Sequence, residues 1–227
     1  MYSDPYDLIL VVPTLILALW AQSAVQSTFS RFSKKMNARG MTGAQAAQFL
    51  LRANNITDVR IERVSGHLTD HYDPSSKVLR LSDSVYGQSS IAAVGVAAHE
   101  TGHAIQHAVG YGPLVLRGTL VPIAQIGSGA GPALAIAGLI FGIPLLINIG
   151  ILLFAGAVLF YLVTLPVEFN ASKRAVAILA KTNTLSPTEI DGVKKVLTAA
   201  AMTYLASALT AIANLVRLIL ISRRNRD

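Results

Sequence analysis

The chain has 227 residues, 52% of them hydrophobic and only 14% charged, with a mean hydropathy of +0.52. Soluble domains carry about 25% charged residues, so this composition excludes a disordered chain, a coiled coil and an ordinary soluble enzyme, and points to the lipid bilayer. The net charge of +7 comes from basic residues flanking long uncharged stretches, which gives no sign of nucleic-acid binding. The absence of cysteine excludes disulfides and thiolate metal sites.

Charge gaps mark the elements that enter lipid. Leu8 to Ser30 is 23 residues without a charged side chain, and about 20 suffice to cross the hydrocarbon as a helix. Ala21-Gln22-Ser23 resembles a signal-peptide cleavage site, but the preceding residues carry Asp4 and Asp7 where a signal peptide needs Lys or Arg. Residues 1–30 are therefore expected to be a retained transmembrane anchor.

A polar segment follows, Arg31 to Arg117. Thr42-Gly43-Ala44-Gln45 is a capping box. It opens a helix expected to bury Ala46, Ala47, Phe49, Leu50 and Ala53 and to stop at Asn54-Asn55. Val59 to Val64 predicts a strand. His67–Tyr72 and Lys77–Leu81 flank the turn sequence Asp73-Pro74-Ser75-Ser76, which predicts a hairpin. Ser89 or Ser90 starts a helix that runs to Gly110.

Gly118 to Val167 is 50 residues without Asp, Glu, Lys, Arg or His. As one helix it would be about 75 Å long, far beyond a bilayer. It must fold into two spans, near 119–141 and 145–165, broken at Gly142-Ile143-Pro144. The small residues from Gly127 to Gly131 suit close helix approach, and Pro122 and Pro132 predict a kink. Residues 168–197 are a helical segment. Ser186-Pro187-Thr188-Glu189 is a second capping box. Residues 198–227 form a fourth transmembrane or interfacial helix with a basic tail.

The chemistry lies in His99-Glu100-Thr101-Gly102-His103. On a helix, the i, i+4 spacing puts both imidazoles on one face, close enough to share a cation. Neutral imidazole nitrogens suit zinc. Glu100 beside them can take a proton from metal-activated water. The preceding Ile91–Ala98 is wholly apolar, and charged groups in such a helix are costly unless paired or metal-bound.

Catalytic zinc takes three protein ligands and leaves one position open. His107 is about 12 Å along the axis from His99, too far for one ion to bind all three histidines. Gln106 and Val109 exclude the metzincin continuation of the motif. Among the four glutamates, Glu62 belongs to a strand and Glu189 to a cap, leaving Glu168, at the mouth of the third span, as the best candidate. Its alternative role is an interfacial carboxylate paired with Lys173 or Arg174.

The stretches LTDHYDPSSKVLRLSDSVY, SSIAAVGVAAHETGHAIQHAVGYGPLVLR and LVTLPVEFNASKRA resemble the YugP-like membrane zinc metallopeptidases of bacteria, distantly similar to HtpX-type enzymes. The resemblance covers nearly the whole chain. It implies a mainly α, multi-pass membrane protein whose residues 31–117 form a zincin-like metallopeptidase domain with a small β-hairpin or sheet. It also implies one catalytic Zn2+ held by His99, His103 and Glu168, with Glu100 as base. Thermolysin-type gluzincins place an Asp four residues after the ligand glutamate; here that residue is Ser172, so Ser172, Asn170 or a loop group is the candidate to orient a ligand histidine. His71, Tyr72 and His107 are candidate donors to the developing oxyanion.

The expected activity is zinc-dependent endopeptidase action on peptide or protein substrates, membrane-associated ones among them, and an edge strand of the hairpin could hold an extended peptide. The rival is a non-catalytic metal-binding membrane scaffold. Against it stands Glu100, because a purely structural site needs no base and closes its fourth position.

Glu168 can share a metal with His99 and His103 only if an even number of spans separates them, and the 50-residue stretch supplies two. Arg31, Lys34, Lys35, Arg39, Arg117, Lys173, Arg174, Lys194 and Lys195 then lie on the domain's side of the membrane, against Asp4 and Asp7 at the opposite N-terminus. The basic tail, Arg223, Arg224 and Arg226, opposes this bias if the last helix crosses fully. The positive-inside rule still makes the domain cytoplasmic. With no native cysteine to interfere, a Ser75→Cys variant should resist an impermeant thiol reagent in intact cells and react after lysis. Labelling from outside would reverse the orientation.

Overall fold

The structure, a computed structural model, describes residues 7–224. Asp4 and Arg226, both used in the charge argument, lie outside the described residues, as does the side chain of Asp7. The chain is mainly helical, with one small sheet, and divides into two compact units.

The first unit comprises residues up to Gln22, Val115–Pro166 and those from Met202 on. It draws on four helices long and apolar enough to cross a membrane. These are α1 (Val12–Ser33, preceded by one π-helical turn), α4 (Gly112–Phe141), α5 (Pro144–Lys181) and α6 (Pro187–Arg224). The 50-residue uncharged stretch breaks where expected. Gly142 takes φ +66°, a conformation that L side chains resist, and Pro144 opens α5 at the position where its missing N–H costs least.

Pro122 and Pro132 stand inside α4 without ending it. A Cβ on Gly131 would lie 2.8 Å from the Phe154 backbone nitrogen, so the glycine allows α4 to meet α5 backbone to backbone. Small and apolar residues such as Ala135, Ala157 and Ala211 form the interior, while Leu152 and Ile140 point outward, 73% and 71% exposed. Phe154 and Leu218 fill the space between these small residues, and large apolar side chains turned outward suit a lipid surround.

The helices are longer than the expected spans. α5 continues from the apolar stretch through Pro166 to Lys181, so Glu168 shares one uninterrupted helix with the third span. A charge gap shows where a chain can enter lipid. It does not show where i to i+4 hydrogen bonding stops.

The second unit comprises Ser23–Leu114 and Val167–Ala201. Here α2 (Gly43–Ala53) starts on the expected capping box: Thr42 Oγ1 accepts from Gln45 N–H while Gln45 Oε1 accepts from Thr42 N–H. Its buried face is Ala46, Ala47, Leu50 and Leu51. Phe49 and Ala53, expected inside, are exposed, because the i, i+3, i+4, i+7 stripe begins at Gly43 and leaves both positions off it.

The sheet has the order β1-β3-β2, from β1 (Arg60–Val64), β2 (His71–Asp73) and β3 (Val78–Ser82). β2 and β3 form the expected antiparallel hairpin; β1 pairs with β3 in parallel. Asp73 shapes the turn by accepting from the Ser75 and Ser76 hydroxyls, each at 2.6 Å. Those bonds hold its carboxyl well below the usual carboxylate range.

Leu79 and Leu81 of β3 are fully buried in one core with α2 and α3 (Ile91–Ala108), the latter capped by Ser90. Glu189 closes the second capping box on Ser186 and also accepts from Ala38 N–H at 2.7 Å. Leu50→Ala should destabilise this unit by about 2–5 kcal/mol, since Leu50 is wholly buried. Resistance to proteolysis on heating reads the loss. A variant as resistant as the parent would place Leu50 outside the core.

Candidate metal centre

The first two turns of α3 (Ile91, Ala92, Ala93, Val94, Ala97 and Ala98) are buried apolar or small residues, and they fix the helix in the core. His99, Glu100 and His103 follow on the same rigid element. Gly102 lies within the motif, against α5. A Cβ there would sit 2.5 Å from the Ala171 carbonyl oxygen and 3.1–3.2 Å from its backbone carbons. Glycine at 102 is therefore the condition for α3 to lie backbone to backbone against residues 167–175 of α5.

That approach brings Glu168 to the two histidines. Its Oε2 lies 3.2 Å from His99 Nε2 and 3.5 Å from His103 Nε2. The three ligand atoms all lie within 4.8 Å of one another, and they form the one such group of three found among the described residues. Two ligands about 2.0–2.1 Å from a tetrahedral zinc stand about 3.3–3.4 Å apart, so the spacing fits. The donor set fits as well: two imidazoles and a carboxylate. A simple His–Glu hydrogen bond would occupy one imidazole; here both Nε2 atoms converge on one oxygen.

Each ring's other nitrogen is engaged elsewhere. His99 Nδ1 lies 3.2 Å from Ser172 Oγ, and His103 Nδ1 lies 3.0 Å from Gln106 Oε1. Such partners orient ligand histidines and raise their basicity. Ser172 was a candidate for this role. Asn170 stands one step back: its Oδ1 accepts from Gln106 Nε2 and from Arg174 Nε. Gln106 was missed. The available signal was a long polar side chain three residues after His103, in a helix that is otherwise mostly small and apolar.

Glu100 is buried, and its carboxylate makes no hydrogen bond to the described residues. Burial pushes its proton affinity up, against the pull of His99 and His103.

Tyr72 and His107 lie together, with Tyr72 Oη 2.8 Å from His107 Nδ1, tying β2 to α3. Burial pushes the Tyr72 phenol up to about 12. His71 is exposed; its Nδ1 lies 2.9 Å from the Thr69 carbonyl oxygen, and Arg80 lies beside its other nitrogen. That places His71 on the outside of the hairpin, because alternate strand residues face opposite sides and Tyr72 takes the inner one.

The sequence matches, over residues 7–223, a family described as "putative neutral zinc metallopeptidase". The chain belongs to this family. It is also 47% identical over 218 residues to "Putative membrane protease YugP" of Bacillus subtilis (strain 168), an alignment covering 96% of this chain and 97% of that protein. No solved structure matches the chain. Within this zinc metallopeptidase family, the convergence of His99, His103 and Glu168 is a group that could hold the metal. Glu168→Ala should therefore lower zinc affinity by orders of magnitude in a chelator titration, whereas His107→Ala, which breaks the bond to Tyr72, should keep most of it. The opposite ranking would make His107 the ligand.

Proposed function

We propose that this protein is a membrane-bound, zinc-dependent endopeptidase. One zinc per chain would be held by His99, His103 and Glu168, with Glu100 as general base. The observation that carries this reading is Glu100 itself: a carboxylate 7% exposed, on the same helix face region as three converging ligand atoms. A structural metal site has no use for such a group. Family membership and the similarity to a named membrane protease support the same activity.

When bound, zinc supplies Lewis-acid polarisation of water and of the scissile carbonyl. Glu100 takes the proton from the attacking water and later delivers it to the leaving amine. Its buried setting favours this exchange by raising its proton affinity toward that of the water it must deprotonate. Ser172 and Gln106 hold the two imidazoles with Nε2 directed at the metal position.

With a pKa of about 12, Tyr72 keeps its phenolic proton at neutral pH and can donate to His107 Nδ1. His107 then carries its own proton on Nε2. It lies one helical turn beyond His103, and we assign this pair the task of meeting the developing oxyanion. Residues 31–117 form the catalytic domain, and the helical segment 168–197 completes its active site. The excess of Lys and Arg beside the spans supports a cytoplasmic position for that domain. The substrates are peptides or proteins, membrane-associated ones among them.

Glu100→Gln preserves side-chain size and removes the base. The purified variant should hold about one zinc per chain, as the parent does, while peptide hydrolysis falls by about 10²–10⁴-fold. Metal analysis and turnover on the same preparations read both quantities. A fully active variant would overturn the assigned role of Glu100.

A further inference from the structure

Gln106 is 0% exposed and makes three side-chain hydrogen bonds whose directions are fixed by chemistry. Its amide nitrogen lies 2.8 Å from the Val167 carbonyl oxygen and 3.0 Å from Asn170 Oδ1. A backbone carbonyl can only accept, so the amide must present N–H to Val167. Arg174 Nε, 2.7 Å from Asn170 Oδ1, can only donate, so that oxygen is an acceptor too. Both amide protons of Gln106 are thereby committed. A flipped amide would set oxygen against two oxygens.

The remaining atom, Oε1, faces His103 Nδ1 at 3.0 Å and has no proton to give. His103 must donate from Nδ1, so in the neutral ring, the form that can ligate a metal, the lone pair lies on Nε2, the atom 3.5 Å from Glu168 Oε2. His99 differs. Its Nδ1 meets the Ser172 hydroxyl, which can donate or accept and so dictates neither tautomer.

We propose that Gln106 is the positioning residue that sets the His103 tautomer. Its orientation is fixed by the Val167 carbonyl and by the Arg174–Asn170 pair of α5. The inference rests on the zinc-binding reading and adds to it a direction of control: the helix that brings Glu168 also determines which nitrogen of His103 is bare. The acceptor is a neutral amide, so the tautomer is set without adding a second negative charge beside Glu168.

The test uses the full-length protein in detergent. Imidazole 15N NMR of the protein supplied with zinc, with His103 assigned through His103→Gln, should show Nδ1 protonated and Nε2 without a proton. Gln106→Met, close in size but without a hydrogen-bonding amide, should give a mixture of tautomers, and zinc affinity by chelator competition should fall about 10–100-fold. Ser172→Ala should cost less. If Gln106→Met does not fold, Asn170→Ala removes one of the two acceptors that fix the amide, and it should show the same change in smaller measure. A protonated Nε2 in the parent, or wild-type zinc affinity and a single tautomer in the folded variant, would overturn the proposal. A parent that binds no zinc yet shows the expected tautomer, lost in Gln106→Met, would sink the zinc reading alone.

Discussion

The close contact of α3 with α5 at Gly102 and Ala171 is the constraint on which the site depends. Three side chains that could share an ion come from positions 69 residues apart, and the carboxylate reaches the imidazoles only because no side chain separates the two backbones. Most of the site's polar bonds run across this seam: His99 to Ser172, Gln106 to Val167 and Asn170, and both imidazoles to Glu168. Any residue larger than glycine at 102 would have to displace the Ala171 backbone, and with it the segment that carries Glu168, Asn170 and Ser172.

Burial gives these bonds their weight. Glu168, His103 and Gln106 are nearly or wholly withdrawn from water, where an unpaired polar group costs several kcal/mol. Interior polar networks are stable only when every member is satisfied. In this one, each histidine has an oriented partner, Gln106 uses all its donors, and Asn170 is held by Arg174. Glu100, 7% exposed, takes no part in this network, and the proposed mechanism gives it the proton transfer.

Much was legible in the chain because it follows local rules. Composition and charge gaps gave the apolar helices and the break at Gly142, since a polar backbone in lipid must close its hydrogen bonds within the segment. Capping boxes at Thr42 and Ser186 gave two helix starts. The i, i+4 spacing put His99 and His103 on one face, and the scarcity of glutamates pointed to Glu168. The readings that went astray concerned neighbours. Phe49 and Ala53 passed as buried because the stripe was taken to begin at Ala46, whereas contact with the rest of the core starts it at Gly43.

The sequence by itself determined the elements, the apolar spans and the residue types able to hold and use a metal, because helix periodicity, capping and hydropathy act over a few residues. Tertiary structure decided which of those residues meet. The parallel pairing of β1 with β3, the Tyr72–His107 bond and the tautomer-setting position of Gln106 depend on contacts between segments far apart in the chain. No local pattern encodes the distance between two helices. Here it follows from a glycine whose missing Cβ matters only once α5 lies against it.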